Sequence, residues 1–183
     1  MKLIYTASQV REAEKPYIEA ADYDGYLMQR AADAVAAEAQ ELLHGKDTAK
    51  ILLLIGPGNN GADTIYAGAR LSAKGHSVDA VIFDPSEKNL ELIAREGGEG
   101  TRVLDPEHTL EHLTGYDLTI DGILGTGSSG AVRGSAGEYL GVLRAAQLDG
   151  KLGAVLAVDT PSGVDNNRGT VHEPSLRADR TVT

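Results

Sequence analysis

The sequence lacks several features that would point to particular functions. It has no cysteine among 183 residues, which excludes disulfides, thiolate nucleophiles, iron–sulfur clusters and cysteine-based zinc sites. It has 17 Lys and Arg residues against 27 Asp and Glu residues, a net charge of −10, which argues against a broad basic surface for nucleic acid or anionic lipid. No apolar run approaches the ~20 residues of a membrane span, and the N-terminus becomes polar too early for a secretion signal. We therefore expect a soluble, cytoplasmic protein that binds neither nucleic acid nor membranes.

The pattern of apolar segments predicts a single α/β domain over residues 1–183. The first helix is predicted to be capped by Ser8 and to run to about Ala21, and Pro16 should kink or split it. The second helix is predicted to begin at Asp24 or Gly25. Apolar strands then alternate with helices, which indicates a mainly parallel sheet covered on both faces, a three-layer, Rossmann-like fold with N-terminal helices. The expected strands are residues 50–55, 77–83, 101–104, 116–124, 153–158 and 180–183, and the later long helices 63–74, 88–96 and 137–147. Because the last strand stops at residue 183, we expect the domain to lack its final strands.

Three loops rich in glycine, asparagine, serine and aspartate follow predicted strands. They are residues 56–63, 125–134 and 159–169. In an open parallel sheet, ligands bind just beyond the carboxyl ends of the strands, and each loop leaves such an end. We therefore expect the three loops to form one cavity for a phosphate-bearing molecule.

The first loop has the pattern G-x-G-x-x-G at Gly56, Gly58 and Gly61, between a strand and a helix. This context suits a phosphate held by backbone amides and a helix N-terminus, and it also suits a purely structural turn. A Walker loop is excluded, because its lysine and hydroxyl residue are absent. An NAD dehydrogenase, with Asp84 holding a ribose, fits better. However, a carboxylate beside a pyrophosphate is unfavourable, so Asp63 favours polar or cation contacts.

The second loop repeats the glycine pattern at Gly125, Gly127 and Gly130 and adds hydroxyl groups and Arg133. Successive backbone amides of this kind can form an anion-binding nest. A flexible surface loop is the alternative interpretation.

The third loop begins with Asp159 at the tip of a strand. A carboxylate in a glycine-lined crevice can act as a general acid or base, and the alternative is an Asx turn or a helix cap. Ser162 lacks the G-x-S-x-G elbow of a serine nucleophile, so we do not expect it to act as one.

A further motif has the spacing of a metal site. His108 and His112 match H-x-x-E-H, which places two imidazoles one helical turn apart. No third ligand is evident in the sequence, so we expect a solvated helix face. Residues 22–26 are predicted to enter the second helix, with a lid over the crevice as the alternative.

The motifs of these loops resemble those of the YjeF N-terminal domain family, the NAD(P)H-hydrate epimerases. The family's G-N-N-G-G-D-G resembles residues 58–64, its D-x-x-x-G-T-G residues 121–127 and its V-D-x-P-S-G-x-D residues 158–165. An early L-M-x-R-A resembles residues 27–31. The resemblance covers nearly the whole chain, in the family's order and spacing. Ala62 and Thr64 replace glycines of the first motif, and we expect Thr64 to narrow the ligand's approach.

The resemblance implies a dinucleotide site and a potassium site. The dinucleotide site would be formed by Asn59, Asn60, Gly61, Ala62, Asp63, Gly125, Thr126, Gly127, Ser128, Ser129, Gly130, Ala131 and Asp159. The implied potassium ligands are Asn60, Asp121 and Ser162. Amide, carboxylate and hydroxyl oxygens are the donors that a hard cation prefers.

The implied activity is that of an isomerase, which interconverts the R and S forms of hydrated NADH and NADPH. We expect Asp159 to move a proton to and from the hydroxyl at C6 of the nicotinamide ring. The alternatives are a non-catalytic nucleotide-binding or dimerisation module of the same fold and an NAD(P) dehydrogenase. The resemblance further implies a homodimer and, in many bacteria, fusion to a kinase-like dehydratase.

Overall fold

A computed structural model of the chain describes residues 5–20, 25–97 and 100–183. Its strands are β1 (Lys50–Ile55), β2 (Ser77–Ile82), β3 (Thr101–Val103), β4 (Leu118–Gly122), β5 (Ala154–Val158), β6 (Val164–Asp165), β7 (Thr170–Val171) and β8 (Arg180–Val182). β6 and β7 form a small antiparallel hairpin. The other six strands form one parallel sheet in the order β3-β2-β1-β4-β5-β8. The mainly parallel sheet expected from the sequence is confirmed.

Helices cover both faces of this sheet, because successive side chains of a strand point to opposite faces. The helices are α1 (Ala7–Ile18), α2 (Tyr26–Leu42), α3 (Asn59–Ala73), α4 (Glu87–Glu96), α5 (Pro106–Leu110) and α6 (Gly134–Leu148). Leu53 and its alternate neighbours in β1 belong to the hydrophobic core that includes α2 and α3. Leu52 and Leu54 belong to the core that includes α6. The two cores make the fold three-layered, as predicted.

The N-terminal helices differ in detail from the prediction. Thr6, rather than Ser8, caps α1, and it forms a capping box with Gln9. Pro16 does not split the helix, which continues to Ile18, although proline has no N–H to donate to the carbonyl of Glu12 four residues earlier. Gly25 precedes α2 as predicted, whereas Ala21, Asp24 and most of the 22–26 segment lie outside the described residues. Among the described helices, none combines the length and apolarity needed to cross a lipid bilayer.

The largest differences lie at the ends of the strands that face the glycine-rich loops. α3 begins at Asn59, four residues before the predicted start, so most of the first motif is helical. β4 covers residues 118–122 rather than 116–124, because the backbone beyond Gly122 bonds to the third loop instead of to a strand. Within that third loop lies β6, which pairs with β7 just beyond the loop in a hairpin that the sequence pattern did not indicate.

Candidate functional site

The carboxyl ends of β1, β4 and β5 lie side by side at one edge of the sheet. Strand order reverses at β1, which pairs with β2 on one side and with β4 on the other. Open α/β sheets bind ligands at such a switch point. The backbone N–H of Gly56 donates to the carbonyl of Gly122 at 3.2 Å, so the loops that leave β1 and β4 start in contact. The crevice between these loops is the candidate site.

Asn60 connects α3 to the two other loops. Its side-chain N–H₂ group donates to the carbonyl of Leu124 at 3.0 Å and to that of Val158 at 2.9 Å. Both acceptors are backbone groups just beyond β4 and at the end of β5. One largely buried amide therefore holds three elements in a fixed arrangement, and its Oδ1 receives no hydrogen bond from a described residue.

The first turn of α3 presents backbone amides at this edge. Gly58 precedes the helix in an extended conformation and, as a glycine, has no side chain to cap the first turn. The first N–H groups of a helix have no partner within it, and they attract anions. The buried side chain of Asn89 donates to the carbonyls of Gly56, at 2.8 Å, and of Gly58, at 3.3 Å. The turn before α3 is thus fixed from α4.

Asp159 follows β5 in a left-handed backbone conformation, with φ of 66°. Its Oδ2 accepts a hydrogen bond of 2.6 Å from the backbone N–H of Thr126 in the second loop. A Cβ on Gly125 would lie 2.5 Å from the same oxygen, so only glycine allows this approach. Because the carboxylate bonds to a distant loop, its observed contact is not that of an Asx turn or a helix cap.

Asp63 lies in α3, one turn after Asn60, and it is close to Asp159. Burial and then the negative charge of Asp159 raise the pKa of Asp63 to about 7; Lys88 lowers it and Glu14 raises it slightly. Its Oδ1 is buried and has no hydrogen-bond partner among the described residues. The crevice therefore contains two neighbouring carboxyl groups, one of which holds a proton near neutral pH.

A buried pair lies behind the crevice. Asp121 of β4 accepts hydrogen bonds from the Ser162 hydroxyl at 2.6 Å and from its backbone N–H at 2.8 Å. The Ser162 hydroxyl in turn accepts a hydrogen bond from the backbone N–H of Leu124 at 3.0 Å. Burial raises the pKa of Asp121. Since Asn60 and Ser162 both bond to Leu124, the three predicted cation ligands lie in one network.

Comparison with known proteins places this arrangement in a family. The family model described as YjeF-related protein N-terminus matches residues 25–183. The chain belongs to this family. The YjeF-related domain is 31% identical over its full length to the bifunctional NAD(P)H-hydrate repair enzyme Nnr of Mycobacterium tuberculosis, of which it covers 37%. It is 35% identical over 98% of its length to the NAD(P)H-hydrate epimerase of Microbacterium testaceum, of which it covers 68%.

The fold has a solved counterpart. The yeast protein YNL200c superimposes with a TM-score of 0.82 over 98% of the YjeF-related domain and 79% of the yeast chain, at 21% identity. The chain spans well under half the length of the bifunctional relatives that it matches.

Two substitutions in the first motif of the YjeF-related domain are accommodated by α3. Ala62 is helical and buried, with no positive φ, so its methyl group is tolerated. Thr64 is fully buried, and its hydroxyl donates to the carbonyl of Asn60 at 2.8 Å. A Cβ on Gly122 would collide with this hydroxyl. Thr64 therefore packs between α3 and β4, and the expectation that it narrows the ligand's approach is wrong.

The remaining predicted residues of the second loop lie around its turn. Ser128 donates from both its hydroxyl, at 2.7 Å, and its backbone N–H, at 3.0 Å, to the carbonyl of Gly125. Gly130 has a positive φ of 85°, and Gly127 and Ser129 are exposed while Ala131 is half-buried. The loop thus turns back on itself beside Asp159 and leaves its tip open to solvent.

Two other sequence candidates lie apart from these contacts. His108, Glu111 and His112 offer ligand atoms within 4.8 Å of one another, but all three are exposed and follow the edge strand β3. His108 also lines a cavity of about 490 Å³ at the ends of β2 and β3. Asp84 is exposed just after β2, with φ of 44°; its contact with a ribose stays a prediction.

The sequence reasoning missed the residues that reach the crevice from elsewhere. Asn89 supports the turn before α3, and Arg11 and Glu14 of α1 lie near the second loop and Asp63; none of the three is among the predicted site residues. The early asparagine of α4 is a polar residue at a helix start, a signal for capping rather than for loop support. No local sequence pattern predicts these contacts, because the elements that they join are far apart in the chain.

Proposed function

We propose that the domain is an NAD(P)H-hydrate epimerase, which interconverts the R and S forms of hydrated NADH and NADPH. The observation that carries the proposal is the convergence of α3, the second loop and Asp159, joined by the bonds of Asn60 and by the Thr126–Asp159 bond. The names of the relatives from Mycobacterium and Microbacterium support the same activity.

The chemistry requires a group that gives and recovers a proton. To invert C6, its hydroxyl accepts a proton and leaves as water, and the ring nitrogen supplies the electron pair that stabilises the cation left behind. Water then adds to the other face and returns the proton, so that atoms and charge balance. We assign this proton transfer to Asp159, supported by the neighbouring Asp63 as a carboxyl group that retains a proton near pH 7.

We also propose that the dinucleotide lies along the first turn of α3 and the second loop. The backbone amides at the start of α3 and the turn beside Gly125 suit a pyrophosphate. The members of this proposed site are Asn59, Asn60, Gly61, Ala62, Asp63, Gly125, Thr126, Gly127, Ser128, Ser129, Gly130, Ala131 and Asp159.

Potassium is the proposed cofactor, with Asn60, Asp121 and Ser162 holding it. The donor set fits a hard cation: the Asn60 Oδ1 receives no hydrogen bond from a described residue, and the buried Asp121 carboxylate has no cationic partner among the described residues. A bound cation would offset the charge of Asp121 and keep the loops in register.

Three further proposals concern the setting of this domain. A homodimer is supported by exposed apolar side chains on and before α1, those of Tyr5, Val10, Tyr17 and Ile18. Light scattering should give twice the mass of the chain.

Fusion to, or partnership with, a kinase-like dehydratase is supported by the bifunctional relatives, which are much longer than this chain. A cytoplasmic location is supported by the reduced nicotinamide nucleotides that the domain would repair.

The deciding experiment is a chiral assay of purified R-hydrate with the protein and with Asp159→Asn. We expect the wild type to produce S-hydrate and the variant to do so about 10²–10⁴ times more slowly, the range for loss of a general acid or base. Equal rates would remove Asp159 from the mechanism. Nucleotide binding without any epimerisation by the wild type would favour the non-catalytic module.

A further inference from the structure

Helix α1 lies beside the crevice, although the family model begins only at residue 25. The Arg11 Nη1 atom is 3.5 Å from the position that a Cβ on Gly127 would occupy. Three residues further along the helix, the charge of Glu14 is close enough to act on Asp63. Two successive turns of α1 thus face the second loop and the start of α3.

Arg11 has no ionic or hydrogen-bond partner in the described part of the chain, and its side chain is exposed. The position of this cation matters because the chain carries a net charge of −10. A strongly acidic protein repels phosphorylated ligands unless local cations offset its field. The guanidinium group also has the planar donor geometry that matches phosphate oxygens.

We infer that Arg11 is a substrate-binding residue, which contacts the phosphate groups of the nucleotide where they cross the second loop at Gly127. This inference rests on the proposed function. Arg11 is exposed and pairs with no carboxylate of the described residues. Its role is to add a phosphate contact from α1 to the contacts that the backbone amides of the second loop would make. The contact is the same before and during the reaction, so it acts on binding rather than on turnover.

The test compares Arg11→Gln with Lys15→Gln, which removes the same charge from the next turn of α1, where Lys15 pairs with Glu19 at 3.8 Å. We expect Arg11→Gln to weaken NADPH binding about tenfold and to raise the KM for hydrated NADPH equally, with kcat unchanged, as for loss of a charge-assisted hydrogen bond. Lys15→Gln should stay within about twofold of wild type, a range typical of exposed charges. Arg11→Lys should recover part of the affinity.

A ligand without phosphate separates this role from a structural one. Reduced nicotinamide riboside keeps the ring and its ribose, so its binding should be equal for wild type and Arg11→Gln. Equal loss of both ligands, or NADPH binding by Arg11→Gln as tight as by Lys15→Gln, would overturn the inference while leaving the epimerase proposal intact. A wild-type protein that neither binds NADPH nor epimerises the hydrate would overturn both.

Discussion

Asp63 couples protonation to stability at the scale of a single residue. Burial and the charge of Asp159 raise its pKa from 3.8 to about 7 in the folded chain. The folded state therefore binds this proton more tightly than the unfolded state. The resulting stabilisation is complete below pH 3.8 and is lost as the pH rises through 7, where the buried carboxyl group must ionise.

Asp63→Asn should remove this pH dependence, because the amide cannot ionise. Relative to wild type, its free energy of unfolding should increase by about 2 kcal/mol between pH 5 and pH 8, a figure reduced from the full shift because water reaches part of the side chain. Urea unfolding at both pH values measures this difference. Asp47→Asn, at an exposed aspartate, is the matched control, and parallel pH profiles for Asp63→Asn and wild type would contradict the prediction.

The sequence predicts the polar residues of the site better than their partners. Asn60 lies in the glycine-rich segment after β1 and Asp159 directly follows β5, where parallel sheets bind ligands, so the sequence pattern indicates both. The carbonyl partners of Asn60, at Leu124 and Val158, follow only from the packed arrangement of three elements. Arg11 and Asn89 were missed for the same reason, since their contacts span large separations in the chain.

At the scale of elements, the position of α3 depends on the absence of a side chain at Gly61. A Cβ there would collide with the carbonyl oxygen of Gly56, which is part of the turn before the helix. Neither backbone segment can move freely, because Asn89 holds Gly56 and Asn60 holds the first turn. The close approach of this helix to the end of β1 thus requires glycine.

Gly61→Ala should therefore lower the free energy of unfolding by about 2 kcal/mol or more, as expected for a steric conflict in a packed region. The same change at Gly141 is the control: a Cβ there meets no atom of the described residues within 4 Å, and α6 should gain about 0.5–1 kcal/mol from the better helix former. Thermal or urea unfolding of both variants measures the two signs. If both alanine variants were more stable than wild type, α3 would be able to move away from Gly56, and the prediction would be wrong.

Element boundaries were predictable where burial alone decides them. β1 has the predicted bounds, because the run KILLLI is buried on both faces and is followed by glycine. α3 starts earlier than predicted because Asn60, a poor helix former, is held in its first turn by tertiary bonds. The β6–β7 hairpin was not predicted from the sequence, because strands of only two residues give no hydrophobic alternation.

At the scale of the whole molecule, three loops must assemble for the cation network to exist. A ligand that binds only the folded chain stabilises it by about 2.7 kcal/mol at a concentration 100 times its dissociation constant. If potassium binds among Asn60, Asp121 and Ser162, it should raise the melting temperature by about 5–10 °C, as expected for a domain of this size. Sodium at equal ionic strength should do less.

Calorimetry of wild type and Asp121→Asn in potassium and in sodium measures this effect. We expect the variant to show the same melting temperature in both salts, because it lacks the buried carboxylate. Should potassium stabilise the two proteins equally, the cation would bind elsewhere. Equal melting of the wild type in both salts would remove the potassium proposal.

The left-handed backbone of Asp159 lowers the stability of the fold at the residue that we propose as the proton carrier. A residue other than glycine in this region costs on the order of 1 kcal/mol or more, and at φ of 66° Asp159 bears that cost. Replacement by glycine would relax the backbone, yet it would delete both the bond from Thr126 and the proposed proton carrier. The cost of this backbone conformation and the proposed catalytic role therefore belong to the same residue, so a screen for thermostable variants at this position must also measure epimerisation.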